Sequence, residues 1–191
     1  MLSERYEDAL IFATRLHSRQ VRKGTRVPYI THLLTVSALV LEDGGSEDEA
    51  IAALLHDAIE DQGGDSARQE ILRRFGANVA RIVEGCTDAD TLPKPPWRER
   101  KEAYLAHLYE APADVRRVSA ADKLHNARCI VRDFREQGEV FWSKFKGGKD
   151  GTLWYFHELV KIFQSFDRSL LVDELARTVA ELDQLAGRNE G

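Results

Sequence analysis

The stretch Ala53-Leu54-Leu55-His56-Asp57-Ala58-Ile59-Glu60-Asp61 decides how this 191-residue chain is interpreted. It completes an apolar run that begins at Ala50, and an imidazole and three carboxylates follow that run within six residues. Charged side chains are seldom fully buried unless they are paired or bind a metal. The sequence predicts a buried helix that meets a polar cluster, although an isolated His-Asp pair could merely end the helix while Glu60 and Asp61 stay solvated.

Helical patterns extend from this stretch in both directions. Upstream, an apolar helix over residues 32–43 ends at Gly44-Gly45, and a capping box of Ser46 with Glu49 starts the helix that runs to Ile59. Further helices are predicted at the N-terminus with Ser3 as N-cap, from a Ser66-Gln69 capping box to Phe75, around 79–85 and 104–108, and over 113–135, 152–166 and 169–185. Loops are predicted at 19–28 and around Pro93, Pro95 and Pro96.

These patterns predict an all-α fold, a single-domain HD-type helical bundle over residues 1–191. Hydrophobic residues make up 43% and charged residues 31%, which is a globular composition. The longest apolar run has six residues, far short of the ~20 that span a bilayer. With no secretion signal and only two cysteines, Cys86 and Cys129, the chain is expected to be cytoplasmic and free of membrane.

The charge distribution favours a small phosphorylated ligand over nucleic acid. The net charge of −5 argues against nonspecific nucleic-acid binding, which depends on neutralising phosphates with Lys and Arg. Local positive charge is nevertheless present between Arg15 and Arg26. A solvated surface would show the same cluster, so the charge alone does not define a site.

Two further motifs supply ligands of the same chemical type as His56 and Asp57. Thr31-His32 opens the preceding helix, and Ala121-Asp122-Lys123-Leu124-His125-Asn126 lies on a later one. Two imidazoles and two carboxylates, with water in the remaining positions, suit a six-coordinate divalent ion such as manganese or iron better than a closed structural zinc site. Such an ion can activate water near neutral pH and neutralise charge on phosphoryl oxygens.

Taken in order, these motifs resemble the hydrolase domain of the RelA/SpoT alarmone enzymes, above all the stand-alone small alarmone hydrolases that include the metazoan SpoT homologues. The matching segments are Phe12-Ala13 with His17, Gln20-Val21-Arg22-Lys23-Gly24, Pro28-Tyr29-Ile30-Thr31-His32, Ala53 to Asp61, Phe75-Gly76, and Ala121 to Arg128. A weaker likeness continues through Thr87-Asp88, Thr91-Leu92-Pro93-Lys94 and Trp154-Tyr155-Phe156. The ordered set covers well over half of the chain, so the resemblance is specific.

The resemblance implies a manganese enzyme that removes the 3′ diphosphate from guanosine 3′,5′-bis(diphosphate) or its pentaphosphate form, releasing pyrophosphate and GDP or GTP. The implied site residues are the manganese ligands His32, His56, Asp57 and Asp122, the catalytic carboxylates Glu60 and Asp61, and the substrate-binding residues Arg22, Lys23, Asn126 and Tyr155. The two catalytic carboxylates would orient water and handle the proton of the departing 3′ oxygen, in an order that the sequence leaves open.

The chain also departs from the family pattern. Leu33 follows the metal-binding histidine where the family often has Pro, one residue is inserted between Lys23 and His32, and Cys129 stands where a hydroxyl residue is common. The last two changes touch the expected nucleoside pocket. They leave open an HD phosphohydrolase acting on another phosphorylated nucleotide, such as an adenine alarmone or NADPH. A noncatalytic nucleotide-sensing module is a third possibility, but such a module would be expected to lose some of the six metal and catalytic residues.

Overall fold

The computed structural model describes residues 2–88 and 95–188, and in these ranges the regular structure is helical, with one isolated antiparallel bridge between Val21 and Pro28. The helices are α1 (Glu4–Leu16), α2 (Ile30–Glu42), α3 (Glu47–Leu55), α4 (Ala58–Gln62), α5 (Asp65–Phe75), α6 (Ala77–Cys86), α7 (Trp97–Glu110), α8 (Ala113–Gln137), α9 (Gly148–Phe166) and α10 (Leu170–Arg188), with a 3₁₀ helix at Gly138–Lys144. The predicted all-α fold is confirmed. Residues 89–94, which carry part of the predicted proline loop, lie outside the described residues.

The predicted caps explain where the first helices begin. Ser3 Oγ accepts a hydrogen bond from the backbone N–H of Arg5 and caps α1. At the start of α3, Ser46 Oγ accepts from the backbone of Glu49, and the Glu49 carboxylate accepts from the backbone N–H of Ser46 at 2.7 Å. This reciprocal pair satisfies two N–H groups that have no partner within the helix, so both predicted caps are confirmed.

Two predicted boundaries are wrong. The helix predicted to continue to Ile59 ends at Leu55, and α4 begins only at Ala58. Asp57, between the two helices, has φ −96° and ψ 0°, at the edge of the helical region. The capping box predicted at Ser66 is absent, since α5 already begins at Asp65 after Gly64. Gly64 has φ +51°, a conformation that glycine adopts without steric cost, and this lets the chain enter α5 earlier than the side-chain pattern suggested.

The described residues form two compact units. The first contains α1 to α6 and α8 as far as Ala121, and the second contains α7, α8 from Asp122, the 3₁₀ helix, α9 and α10. The centre of the first unit is α3, whose residues from Glu49 to Leu55 are all buried and which packs on α1, α2 and α6. This is the buried helix that the apolar run predicted. The proposed single domain over residues 1–191 stays a prediction.

The core of the second unit is aromatic. The rings of Phe134 and Trp142 lie 5.1 Å apart, and α9 packs against α10. Within the described ranges, no helix pairs the length with the apolar character that a bilayer crossing requires. Each unit carries part of the predicted site, which is described below by unit.

Candidate metal centre and catalytic carboxylates

Three of the four predicted metal ligands lie together in the first unit. His32 is in the first turn of α2, and His56 and Asp57 occupy the turn between α3 and α4. One ligand atom from each residue lies within 4.8 Å of the others. Asp57 Oδ2 is 3.0 Å from His56 Nε2 and 3.6 Å from His32 Nε2, and both imidazoles are buried. The break between α3 and α4 thus places this cluster beside the most buried helix of the unit.

The hydrogen bonding of His56 shows that this cluster fits a cation. His56 Nδ1 donates to the carbonyl oxygen of Ala53 at 2.8 Å, because a carbonyl can only accept. In the neutral imidazole the lone pair then lies on Nε2, which faces Asp57 Oδ2. The His56 nitrogen and the Asp57 oxygen are 3.0 Å apart, and two electron-pair donors at this distance repel each other unless a positive charge lies between them. Two imidazole nitrogens and a carboxylate oxygen are a donor set that divalent transition metals accept.

Tyr29 supports the cluster from the end of the preceding loop. Its hydroxyl donates to Asp57 Oδ2 at 2.6 Å, and its ring meets the edge of His32 at 5.5 Å. The ring of His17 also stacks on the ring of Tyr29, with the ring centroids 5.4 Å apart. Sequence reasoning included Tyr29 in a motif but gave it no role. The available signal was a tyrosine three residues before a predicted histidine ligand at a helix start.

The predicted catalytic pair occupies the short helix α4 directly after Asp57. Glu60 is half-buried and Asp61 is exposed. The backbone N–H of Asp61 donates to the carbonyl of Asp57 at 3.0 Å, which ties α4 to the turn that carries His56 and Asp57. The Asp61 carboxylate accepts a hydrogen bond at 2.8 Å from Gln20, a residue that sequence reasoning also left without a role.

His17 belongs to one of the matching motifs but received no role from the sequence. It is buried at the end of α1, and its Nδ1 lies 2.6 Å from Gln20 Oε1, while its Nε2 has no hydrogen-bond partner within the described residues. Burial lowers the pKa of His17 below its ordinary value, although the Gln20 hydrogen bond and the charges of Asp57 and Asp61 act to raise it. The imidazole is therefore neutral at pH 7.

Two predicted substrate-binding residues lie in the loop between α1 and α2. The backbone N–H of Arg22 donates to the carbonyl of Val27 at 2.8 Å, which closes the loop. The Arg22 guanidinium lies 5.5 Å from the centroid of the Tyr29 ring, and Lys23 is exposed. Positive charge thus stands next to the residue that supports Asp57, within the first unit.

The fourth predicted ligand, Asp122, lies on α8 in the second unit and is buried. Its Oδ2 accepts a hydrogen bond from Lys123 Nζ at 2.6 Å, and its Oδ1 accepts one from Asn126 Nδ2 at the same distance. Burial alone would lower the pKa of Lys123, but the Asp122 carboxylate and two nearby tyrosines outweigh it and hold that pKa well above its ordinary value. Asn126, predicted to contact substrate, orients Asp122 in this structure.

Tyr155, the last predicted substrate-binding residue, is buried on α9 of the second unit. Lys101 Nζ lies 4.8 Å from the centroid of its ring, and the ring of Trp97 meets it at 6.5 Å. The ring of Tyr155 therefore takes part in aromatic packing within the second unit. Its contact with substrate stays a prediction.

The family profile of the HD domain matches residues 9–153, so the chain belongs to the HD domain family. This match covers parts of both described units and every predicted site residue except Tyr155. The family and the His32, His56 and Asp57 cluster together imply a divalent metal site.

Within that family the chain is similar to a particular group of hydrolases. The guanosine-3′,5′-bis(diphosphate) 3′-pyrophosphohydrolase MESH1 of Xenopus tropicalis is 40% identical over 128 residues, 65% of this chain and 69% of the relative. The human protein of the same name is 38% identical over the same shares. The structure of a metazoan orthologue of SpoT, described as hydrolysing ppGpp, has a TM-score of 0.78 and 24% identity and covers 95% of this chain and 97% of its own. That structural likeness confirms the HD-type fold.

Proposed function

We propose that this chain is a guanosine-3′,5′-bis(diphosphate) 3′-pyrophosphohydrolase, which releases pyrophosphate and leaves GDP, or GTP from the pentaphosphate substrate. The observation that carries the proposal is the His32, His56 and Asp57 cluster, followed at once by Glu60 and Asp61. Relatives named for this activity are 38–40% identical over 128 residues. The proposal extends to one HD-type domain over residues 1–191 acting in the cytoplasm.

Manganese is the proposed metal. His32, His56 and Asp57 would hold it from the first unit, and the buried Asp122 would be the fourth ligand. When bound, the ion supplies a Lewis acid that neutralises charge on phosphoryl oxygens and activates water. Nitrogen and carboxylate ligands with open positions are compatible with manganese, and the buried imidazoles favour it over magnesium, which prefers oxygen ligands.

Glu60 and Asp61 are the proposed catalytic carboxylates. One would take the proton from the attacking water, and the other would handle the proton of the departing 3′ oxygen. Their positions in a helix of five residues, directly after Asp57, keep both side chains close in sequence and backbone to the metal-binding turn. Glu60, the more buried of the two, is the better shielded from competing solvent.

The proposed substrate-binding residues are Arg22 and Lys23 in the first unit, and Asn126 and Tyr155 in the second. Arg22 and Lys23 would meet the phosphates or the purine, because a guanidinium and an ammonium are the side chains that pair with phosphate oxygens. Asn126 and Tyr155 would line the nucleoside pocket. The Asn126 amide nitrogen donates to Asp122, and this hydrogen bond orients the Asn126 side chain.

The proposal is tested by a hydrolysis assay on the purified chain after chelation of bound metal. Added Mn²⁺ is expected to restore release of pyrophosphate and GDP from guanosine 3′,5′-bis(diphosphate), with products resolved by chromatography. Glu60→Gln should keep Mn²⁺ binding by calorimetry but lose at least ~100-fold in kcat. Glu99→Gln, an exposed residue on α7, is the matched control and should behave as the wild type.

The same assay separates the competing substrates. Adenosine 3′,5′-bis(diphosphate) and NADPH are tested in parallel at equal concentration. Release of orthophosphate alone, or a clear preference for either of these substrates, would reject the guanosine assignment. A wild-type chain that binds no divalent metal would reject the whole site.

A further inference from the structure

A chain of side-chain hydrogen bonds links the end of α1 to the carboxylate of Asp61. His17 Nδ1 lies 2.6 Å from Gln20 Oε1, and Gln20 Nε2 donates to Asp61 Oδ2 at 2.8 Å. The Gln62 side chain also donates to Gln20 Oε1, at 2.6 Å. All four residues belong to the first unit, and the link joins segments more than forty positions apart in sequence.

The chemistry of these groups determines which atom donates and which accepts in the hydrogen bonds that link His17, Gln20 and Asp61. A carboxylate only accepts, so the amide nitrogen of Gln20 must face Asp61 and its oxygen must face His17. An amide oxygen also only accepts, so His17 must carry its hydrogen on Nδ1. Burial favours the neutral imidazole, and this agrees with a single hydrogen on that nitrogen. The network therefore has one consistent arrangement, directed from His17 toward Asp61.

Gln20 is well placed to orient its partner because its own backbone is fixed on both sides. Its N–H donates to the carbonyl of His17 at 3.0 Å, and its carbonyl accepts from the N–H of Tyr29 at 2.9 Å. Asp61, by contrast, is exposed and lies on a helix of only five residues. An exposed aspartate on so short an element has little else to restrict its rotamers.

We propose that Gln20, itself oriented by His17, is a positioning residue that holds the Asp61 carboxylate for proton transfer. This inference rests on the proposed function, in which Asp61 is catalytic. Proton transfer requires the carboxylate within hydrogen-bond reach of the reacting group, and displacement of a reacting group by about 1 Å can cost ~100-fold in rate. Loss of the Gln20 donor should therefore lower kcat while leaving metal and substrate affinity nearly unchanged.

The first test replaces Gln20 by methionine, which keeps the length of the side chain but removes both polar ends. Gln20→Met is expected to lower kcat by ~10–100-fold, with less than threefold change in KM and in Mn²⁺ affinity. Gln69→Met, at an exposed position on α5, is the matched control and should keep wild-type kinetics. Unchanged kcat in Gln20→Met would overturn the inference.

The second test asks whether His17 acts through its Nδ1 hydrogen. The amide nitrogen of asparagine can take the place of Nδ1, whereas leucine fills the space without a donor. His17→Leu should lower kcat, and His17→Asn should restore at least a third of the wild-type value, with thermal melts confirming that both variants fold. Equal losses in the two variants would show that the ring only packs against its neighbours.

The third test combines Gln20→Met with Asp61→Asn, measured in single turnovers. If Gln20 acts through Asp61, the double variant should be no slower than Asp61→Asn alone, because the group being positioned is already gone. A further tenfold loss in the double variant would reject a positioning role. An inactive wild type would instead reject the proposed function, so the two failures are distinguishable.

Discussion

The two units surround their predicted metal-binding carboxylates with opposite kinds of partner. In the first unit, Asp57 Oδ2 faces the Nε2 atoms of two buried imidazoles and accepts a hydrogen bond from the Tyr29 hydroxyl. In the second unit, both oxygens of Asp122 accept hydrogen bonds, and the donor to one of them is the ammonium group of Lys123. The contacts described here thus join Asp57 to imidazole nitrogens and a hydroxyl, and Asp122 to an ammonium and an amide.

We expect the two carboxylates to contribute differently to metal binding. The first unit offers three ligand atoms within 4.8 Å of one another, so this unit should supply most of the metal affinity. Coordination by Asp122 would require its oxygens to share their electron pairs with an ion as well as with Lys123 and Asn126. We therefore expect Asp122 to be the weaker contributor, and the predictions below test that order.

The largest effect is expected from removing the two carboxylates one at a time. Asp57→Asn should abolish measurable Mn²⁺ binding by calorimetry and reduce kcat/KM by at least ~1,000-fold, equivalent to about 4 kcal/mol. Asp122→Asn should also impair turnover, but it should retain weak Mn²⁺ binding through the first unit. Asp150→Asn, an exposed aspartate on α9, serves as the control.

The Mn²⁺ affinities of Asp57→Asn and Asp122→Asn show which carboxylate contributes more to metal binding. Wild-type Mn²⁺ affinity in Asp122→Asn would remove Asp122 from the ligand set, and complete loss in both variants would make the two carboxylates equal partners. Each result is read only after circular dichroism confirms a folded chain.

The next effect concerns the buried partner of Asp122. Lys123→Met leaves a buried carboxylate without its ammonium, so we expect the metal-free protein to lose about 3 kcal/mol of stability in chemical denaturation. If Asp122 is a ligand, saturating Mn²⁺ should stabilise this variant more than the wild type, because the ion replaces the missing positive charge. Lys161→Met, which removes an exposed pair with Glu158, should change stability by less than ~0.5 kcal/mol. Equal stabilisation of wild type and Lys123→Met by Mn²⁺ would contradict coordination by Asp122.

Much of the fold could be predicted because its helix ends carry local signals. Ser3 and the Ser46 to Glu49 capping box depend only on residues within one turn, and both were predicted correctly. The break after Leu55 was missed, since apolar residues continue at Ala58 and Ile59 and no Gly or Pro marks the interruption. The early start of α5 depends on the positive φ of Gly64, which a side-chain pattern does not reveal.

The site could be predicted only as far as its motifs extend. His32, His56 and Asp57 were predicted to share a site, and the structure brings them together. The contacts of Tyr29 with Asp57 and of Gln20 with Asp61 cross 28 and 41 positions of sequence, so they depend on packing that no local pattern encodes. Lys123 is adjacent to Asp122 in sequence, but its burial and the direction of its side chain become known only from the structure.

The smallest effect is expected from the Tyr29 hydroxyl. Tyr29→Phe keeps the ring against His17 and His32 but removes the donor to Asp57, so the carboxylate is oriented less firmly and Mn²⁺ affinity should fall about tenfold, or ~1.4 kcal/mol. Tyr6→Phe is the matched control, because its hydroxyl is also part-buried but bonds to Ser37. Calorimetric titration with Mn²⁺ compares the three proteins. Unchanged affinity in Tyr29→Phe would mean that the imidazoles alone orient Asp57, and that the first unit needs no support from the loop before α2.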